Sequence, residues 1–142
     1  MGERVAIVTG AGRGLGRAFA KRLSSKGIIV VLAEINLDNA NTVSEEISKL
    51  GGKALPIHTD ITDENSVLNM VERTIQTHGQ IDILVNNAAL LGTLTRGPFE
   101  KIPVDEFEQA LRVNVIGSYL TAKAVIPSMR KAKWGRIINM SS

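Results

Sequence analysis

The sequence predicts an α/β fold in which helices cover both faces of a doubly wound parallel sheet. Short apolar runs alternate with amphipathic segments along the 142 residues, an order typical of right-handed βαβ crossovers. The apolar runs are nearly continuous, as expected for parallel strands that are buried on both faces. Strands are predicted at 5–8, 28–33, 54–57, 81–85 and 136–140. The length suits one domain over residues 1–142.

Helices are predicted where apolar residues recur at helical spacing between these strands. They cover 14–25, 37–50, 64–78 and, in two pieces, 104–131. Asn36 or Asp38 is a candidate N-cap of the second helix, and Thr62 or Asp63 of the third. Glycines follow the first three helices, where a left-handed residue commonly ends a helix.

Composition excludes several classes of function. The net charge of +3 is too small to indicate nucleic-acid binding, and the sequence has no cysteine for disulfides or thiolate metal sites. The two histidines, His58 and His78, lack the spacing of a metal-binding pair, so no metal site is expected. The longest clean apolar run, 28–33, is far too short to span a membrane. We expect a cytoplasmic protein that binds neither nucleic acid nor membrane.

A glycine-rich loop follows the first strand and opens the first helix, which is the context of a dinucleotide site. Gly10 permits a sharp turn, Gly14 permits backbone N–H groups to approach a pyrophosphate, and Gly16 permits close packing of the helix. The helix N-terminus adds oriented donors and partial positive charge. The other predicted binding residues of this loop are Gly12, Arg13 and Leu15.

Two charged residues bear on the choice between NAD and NADP. Glu34 lies 18 residues after Gly16, at the end of the second strand, where a carboxylate binds the ribose hydroxyls and repels a 2′-phosphate. Arg13 indicates the opposite, because a guanidinium beside the loop pairs well with a phosphate. We give Glu34 more weight, since like-charge repulsion is hard to evade. NAD is favoured, and NADP stays the alternative.

The whole chain resembles the short-chain dehydrogenase/reductase family. Residues 9–16 fit its T-G-x-x-x-G-x-G pattern, and residues 135–142 fit its fifth strand and catalytic serine. Residues 86–89 resemble its N-N-A-G motif but end in Ala89 instead of glycine. The resemblance implies a Rossmann-type fold, an adenine contact at Asp60 and Ile61, a ribose wall at Asn87 and Ala88, and an active-site asparagine at Asn114.

The chemistry that the resemblance implies is hydride transfer between a nicotinamide cofactor and an alcohol or ketone, an EC 1.1.1 type of reaction. A tyrosine exchanges the proton, a lysine four residues later lowers that tyrosine's pKa, and a serine binds the substrate oxygen. Ser142 corresponds to that serine, and Asn114 to an asparagine that holds a water. The tyrosine and lysine are expected beyond Ser142, so we interpret the chain as a fragment that is inactive alone. A sheet that ended at this strand would expose an apolar edge.

Tyr119 and Lys123 have the spacing of the Tyr-x-x-x-Lys pair, but they precede the fifth strand and share a helix with Asn114. We interpret Tyr119 as a packing residue and Lys123 as a solvated or interface residue.

Two alternatives to the enzyme remain. A non-catalytic dinucleotide-binding module would lack a Tyr-x-x-x-Lys shortly after Ser142, and a methyltransferase would leave Asn114 without a role. The resemblance implies that the complete protein is a homodimer or homotetramer acting on a small-molecule substrate.

Overall fold

One sheet of five parallel strands confirms the predicted doubly wound α/β class. The computed structural model describes residues 3–90 and 95–141. Its strands are β1 (Val5–Thr9), β2 (Ile29–Glu34), β3 (Ala54–His58), β4 (Ile83–Asn86) and β5 (Arg136–Asn139). Their order across the sheet is β3-β2-β1-β4-β5. Each strand begins and ends within two residues of its predicted position, because buried apolar runs are strong signals of strands.

The helices also follow the prediction, with one unforeseen junction. They are α1 (Gly14–Ser24), α2 (Leu37–Lys49), α3 (Glu64–His78), α4 (Val104–Leu111) and α5 (Ser118–Ala132), with a short 3-10 helix at Phe99–Lys101. A π-helical turn, Arg112–Gly117, joins α4 to α5, so the two predicted pieces form a continuous helix. Of the candidate caps, Asn36 accepts a hydrogen bond from the backbone N–H of Asn39, and Asp63 accepts one from that of Asn65.

Strands β1 and β2 are buried along their whole length, and successive residues of each point to opposite faces of the sheet. In β2, Val31 belongs to a cluster beneath α3 and α5, whereas Val30 and Leu32 belong to a second cluster beneath α1 and α2. Ile7 of β1 is fully buried. Burial of one such side chain contributes about 2 kcal/mol relative to its exposure, so the two clusters hold the strand ends firmly in place.

The strand order creates a crevice beside the carboxyl end of β1. The chain runs outward from β1 through β2 to β3 and then crosses back to β4 on the other side of β1. Open α/β sheets bind ligands at such a topological switch point. The loops that follow β1 and β4 flank this crevice, and together with the first turn of α1 they hold most of the predicted site residues. In the described part of the chain, no helix has the length and apolarity needed to cross a bilayer.

Candidate functional site

The glycines of the loop between β1 and α1 allow close backbone contacts. Gly10 has a φ of +63°, and a Cβ there would lie 2.9 Å from the Cα of Ala88. A Cβ on Gly16 would overlap the carbonyl oxygen of Gly10 and lie 2.6 Å from Nδ2 of Asn87. The first turn of α1 therefore packs directly on the loop and on the turn after β4. Neither position has room for a side chain.

The N-terminus of α1 is left open for an anion. Gly14 has a φ of +53°, and a Cβ there would meet no described atom within 4 Å. Among the described residues, no side chain caps α1, and its first turn carries no acidic residue. By contrast, α2 and α3 have side-chain caps and an acidic residue in the first turn. The free N–H groups and dipole of α1 thus face an open region beside the exposed residues Arg13 and Leu15.

Glu34 bonds directly to this loop. Its side chain is 8% exposed, and Oε2 accepts a hydrogen bond of 2.9 Å from the backbone N–H of Gly12. Oε1 accepts a second hydrogen bond, of 3.2 Å, from the backbone N–H of Asn36. A Cβ on Gly12 would lie 3.0 Å from the Glu34 carboxylate and 2.6 Å from Cβ of Asn39. The carboxylate is therefore held in one orientation at the edge of the loop.

Thr9 and Asn87 join the glycine-rich loop to the turn after β4. The Thr9 hydroxyl accepts hydrogen bonds of 3.0 Å from the backbone N–H groups of Asn87 and Ala88. The Asn87 amide Nδ2 donates to the carbonyl oxygens of Thr9 and Gly10, at 3.0 and 3.3 Å. Asn87 and Ala88 are predicted site residues, whereas no role is predicted from the sequence for Thr9. The available signal was a hydroxyl residue that ends a buried strand.

Asp60 and Ile61 lie beyond the end of β3. Oδ1 of Asp60 accepts hydrogen bonds from the backbone N–H and the hydroxyl of Thr62, at 2.8 and 2.7 Å. The backbone N–H of Asp60 donates to the hydroxyl of Ser66 in α3. The Ile61 side chain is only 7% exposed and packs against Gly117 of the π-helical turn. Ile61 is thus a buried contact, and Asp60 orders the loop that follows it.

Asn114 lies in the π-helical turn and holds the chain after β4. Its Oδ1 accepts a hydrogen bond of 2.7 Å from the backbone N–H of Leu90, and its Nδ2 donates to the Leu90 carbonyl at 3.3 Å. The Ser118 hydroxyl donates to the Asn114 carbonyl. The amide therefore fixes the path of the chain as it leaves the crevice. Whether Asn114 also holds a water stays a prediction.

A partly buried amide network connects the ends of β4 and β5. Nδ2 of Asn86 donates to Oδ1 of Asn139 at 2.9 Å and to the carbonyl of Ser118 at 3.2 Å. The hydroxyl of Thr121, which is fully buried in α5, donates to Oδ1 of Asn86 at 2.6 Å. These bonds position the end of β5, which leads toward Ser142. The predicted catalytic residue Ser142 itself lies outside the described residues.

Tyr119 and Lys123 occupy a surface position on α5. The Tyr119 side chain is 61% exposed. Nζ of Lys123 donates to Oε1 of Glu64 in α3 at 2.7 Å, and this hydrogen bond raises the pKa of the lysine. The lysine therefore bridges α3 and α5. That neither residue is catalytic stays a prediction.

The described residues 3–90 and 95–141 contain no group of three or more His, Cys, Asp or Glu side chains that could hold a metal. The site instead consists of a glycine-rich loop, an open helix N-terminus, a fixed carboxylate and an asparagine turn. These features lie at the ends of β1, β2 and β4. Backbone donors beside an open region suit a phosphate group, and the Glu34 carboxylate suits hydroxyl groups.

Comparison with known proteins agrees with this arrangement. The sequence model of the short chain dehydrogenases matches residues 4–142. An uncharacterized oxidoreductase of Thermotoga maritima is 39% identical over 139 residues, which are 98% of this chain and 53% of that protein. The structure of a 7α-hydroxysteroid dehydrogenase in complex with NADH and 7-oxo glycochenodeoxycholic acid has a TM-score of 0.90 at 37% identity. That of an NAD⁺-bound xylitol dehydrogenase has a TM-score of 0.93 at 33% identity.

Both structures match 98% of this chain and 53% of their own. The chain therefore spans about half the length of the relatives it matches. The matched half includes every motif from the glycine-rich loop to the fifth strand. On the family match over residues 4–142 and these identities, the chain belongs to the short-chain dehydrogenase family of oxidoreductases.

Proposed function

We propose that this chain is the dinucleotide-binding part of an oxidoreductase that transfers a hydride between a nicotinamide cofactor and an alcohol or ketone. The observation that supports this most is the convergence at one crevice of an uncapped helix N-terminus, the Glu34 carboxylate and the Asn87 turn. When bound, the nicotinamide ring supplies or accepts the hydride. Residues 1–142 then form a single Rossmann-type domain, or the first part of one.

The chain's own residues have distinct roles in this proposal. The backbone of the loop from Gly10 to Gly16 binds the pyrophosphate, with Gly14 at the open position. Glu34 accepts hydrogen bonds from the adenosine ribose. Asp60 and its neighbours border the adenine, and the turn at Asn87 borders the ribose. Asn114 and Ser142 belong to the reaction end, with the tyrosine and lysine of the family expected outside this chain.

NAD is the cofactor that we favour over NADP. The Glu34 carboxylate is nearly buried and held by two backbone N–H groups, so it cannot turn away from an incoming 2′-phosphate. Repulsion between two charges at such short range costs about 1 kcal/mol even in water, and more near a protein surface. Arg13 is exposed at the N-cap of α1, where solvent weakens a competing attraction. The two crystallographic relatives carry NADH and NAD⁺.

Calorimetric titration of the full-length protein with NADH and NADPH tests both the function and the cofactor. We expect NADH to bind more tightly than NADPH. Glu34→Gln should reduce the ratio of the two affinities by about tenfold, because the charge is lost while the shape of the side chain is kept. Glu45→Gln is the matched control, because Glu45 is an exposed residue on α2. Equal affinities in the wild type would contradict the NAD preference. Binding of neither nucleotide would contradict the function.

Turnover distinguishes the enzyme from a dinucleotide-binding module. The full-length protein should oxidise or reduce members of a panel of secondary alcohols and ketones, followed by NADH absorbance. Nucleotide binding with no turnover across the panel would favour the module.

We also propose that the complete protein assembles as a homodimer or homotetramer through the long helix of α4 and α5. This helix exposes several large apolar side chains, and contiguous exposed apolar surface commonly marks an interface. They are Val104, Phe107, Leu111, Val115, Ile116 and Tyr119. Light scattering coupled to size-exclusion chromatography measures the mass, and a monomer at micromolar concentration would refute the proposal.

A further inference from the structure

The π-helical turn Arg112–Gly117 is held from outside the helix. Wider turns of this kind are uncommon and often mark functional sites. Contacts from two separate loops hold this one. Asn114 bonds to the backbone of Leu90 after β4, while Arg112 and Gly117 contact the loop after β3. The turn therefore lies between the adenine side and the reaction side of the crevice.

At Gly117 the π-helical turn packs tightly against the loop after β3. Gly117 is buried, and a Cβ there would lie 2.6 Å from Cδ1 and 2.8 Å from Cγ1 of Ile61. Ile61 is itself 7% exposed and β-branched, so it has few rotamers available. A shift of the π-helical turn thus requires a shift of Ile61.

Arg112 contacts the same loop through a hydrogen bond. Nη2 of Arg112 donates to the carbonyl oxygen of Thr62 at 2.9 Å. The N–H and hydroxyl of Thr62 are both bound by Asp60, which is bound in turn to Ser66 of α3. The guanidinium therefore bonds to an ordered segment, and it connects that segment to the turn that carries Asn114.

We propose that Arg112 is a positioning residue that couples ligand binding at residues 60–62 to the placement of Asn114. The proposal rests on the function proposed above, in which residues 60–62 border the adenine of the cofactor. A ligand that orders this loop also orders the π-helical turn, and the coupling is reciprocal by thermodynamic necessity. The adenine end of the cofactor thereby helps to set the geometry of the reaction end.

The backbone amide of Leu90 is a natural reporter of this coupling. Its hydrogen bond to Oδ1 of Asn114 must open before the amide can exchange with solvent. We expect saturating AMP to slow exchange of the Leu90 amide in the full-length protein by about three- to tenfold, measured by NMR. AMP lacks the nicotinamide half, so it does not occupy the reaction end of the crevice.

Substitutions at Arg112 test whether the effect of AMP on the Leu90 amide passes through the hydrogen bond between Arg112 and Thr62. Arg112→Met keeps the aliphatic stem but removes the donor to Thr62, so the AMP effect on Leu90 should fall below about twofold. Arg112→Lys retains a cationic donor and should recover part of the effect. Arg130→Met is the matched control, because Arg130 is an exposed residue near the far end of α5, and the AMP effect should stay at the wild-type value.

The outcomes distinguish the two proposals. If AMP binds and slows Leu90 exchange equally in the wild type and in Arg112→Met, coupling through Arg112 is overturned while the proposed function stands. If AMP binds without any effect on Leu90, the coupling is overturned as well. If neither AMP nor NADH binds the wild type, the proposed function fails, and the coupling fails with it. Loss of the effect in Arg112→Met, with recovery in Arg112→Lys, supports the proposal.

Discussion

Gly16 and Gly14 lie in the same glycine-rich segment, but a side chain is excluded at Gly16 by packing and disfavoured at Gly14 by the backbone conformation. Alanine substitutions at the two positions distinguish these causes. In Gly16→Ala, the new methyl group meets the carbonyl oxygen of Gly10 and the Asn87 amide. Both partners are fixed, because the Asn87 side chain already bonds to Thr9 and Gly10. In Gly14→Ala, the methyl group meets no described atom within 4 Å, but the backbone must keep a φ of +53°.

The two costs differ in size. Overpacking against fixed atoms costs about 1 to 3 kcal/mol and occasionally more. Since the overlap at Gly16 is with backbone, we expect about 3 kcal/mol, even after the helix gains up to about 1 kcal/mol from Ala. A left-handed conformation costs a non-glycine residue about 1 to 2 kcal/mol, so Gly14→Ala should destabilise folding by about 1 kcal/mol. The loss of NADH affinity should instead be larger for Gly14→Ala than for Gly16→Ala, because Gly14 is the position that faces the proposed pyrophosphate.

Urea unfolding of the full-length protein, followed by circular dichroism, gives the free energy of unfolding of each variant. Calorimetric titration with NADH gives the affinity of whichever variants fold. We expect Gly16→Ala to lose more stability than Gly14→Ala by about 2 kcal/mol. We also expect folded Gly14→Ala to bind NADH at least about tenfold more weakly than the wild type. Equal stability losses would refute the packing argument, and unchanged NADH affinity in Gly14→Ala would refute the assignment of the open position.

Three further predictions concern the contacts around the site. Thr9→Val leaves the backbone N–H groups of Asn87 and its neighbour without an acceptor, so urea unfolding should show a loss of about 3 kcal/mol. Thr9→Ser keeps the acceptor, and an equal loss there would contradict this. The hydrogen bond from Arg17 lowers the pKa of Glu46. A carboxyl group whose pKa is lowered by folding stabilises the fold at pH values above the ordinary pKa of glutamate. This stabilisation is lost as the pH falls through the lowered pKa. The melting temperature of Glu46→Gln should therefore lie below that of the wild type at neutral pH, and the difference should vanish by about pH 3. Tyr119→Phe should leave turnover by the full-length protein within about twofold; a loss of several hundredfold would make Tyr119 a catalytic residue.

Much of this fold is predictable from local sequence. The strands are predictable because burial on both faces requires a continuous apolar run. The helices are predictable because burial on one face places apolar residues at helical spacing. The caps at Asn36 and Asp63 follow from residue chemistry next to those spans. Gly10 and Gly16 are predictable as well, because a strand, a tight turn and a helix must meet there. At Ala89, where the family has glycine, φ is not positive, so alanine causes no strain.

Other features depend on contacts between residues far apart in the chain. Thr9 and Asn87 are separated by 78 residues and Asn86 and Asn139 by 53, so only the packed sheet brings them together. The π-helical turn has the same apolar spacing as an ordinary helix, and its contact with Leu90 cannot be inferred from that spacing.

By itself, the sequence determined the doubly wound sheet, the glycine-rich loop and the acidic residue at the end of β2, because each depends on short-range chemistry. Only the tertiary structure decided which groups restrain that loop, how Asn114 is oriented, and that Lys123 bonds to Glu64. Strand order sets these outcomes, since side chains from separate elements meet only once the sheet has assembled.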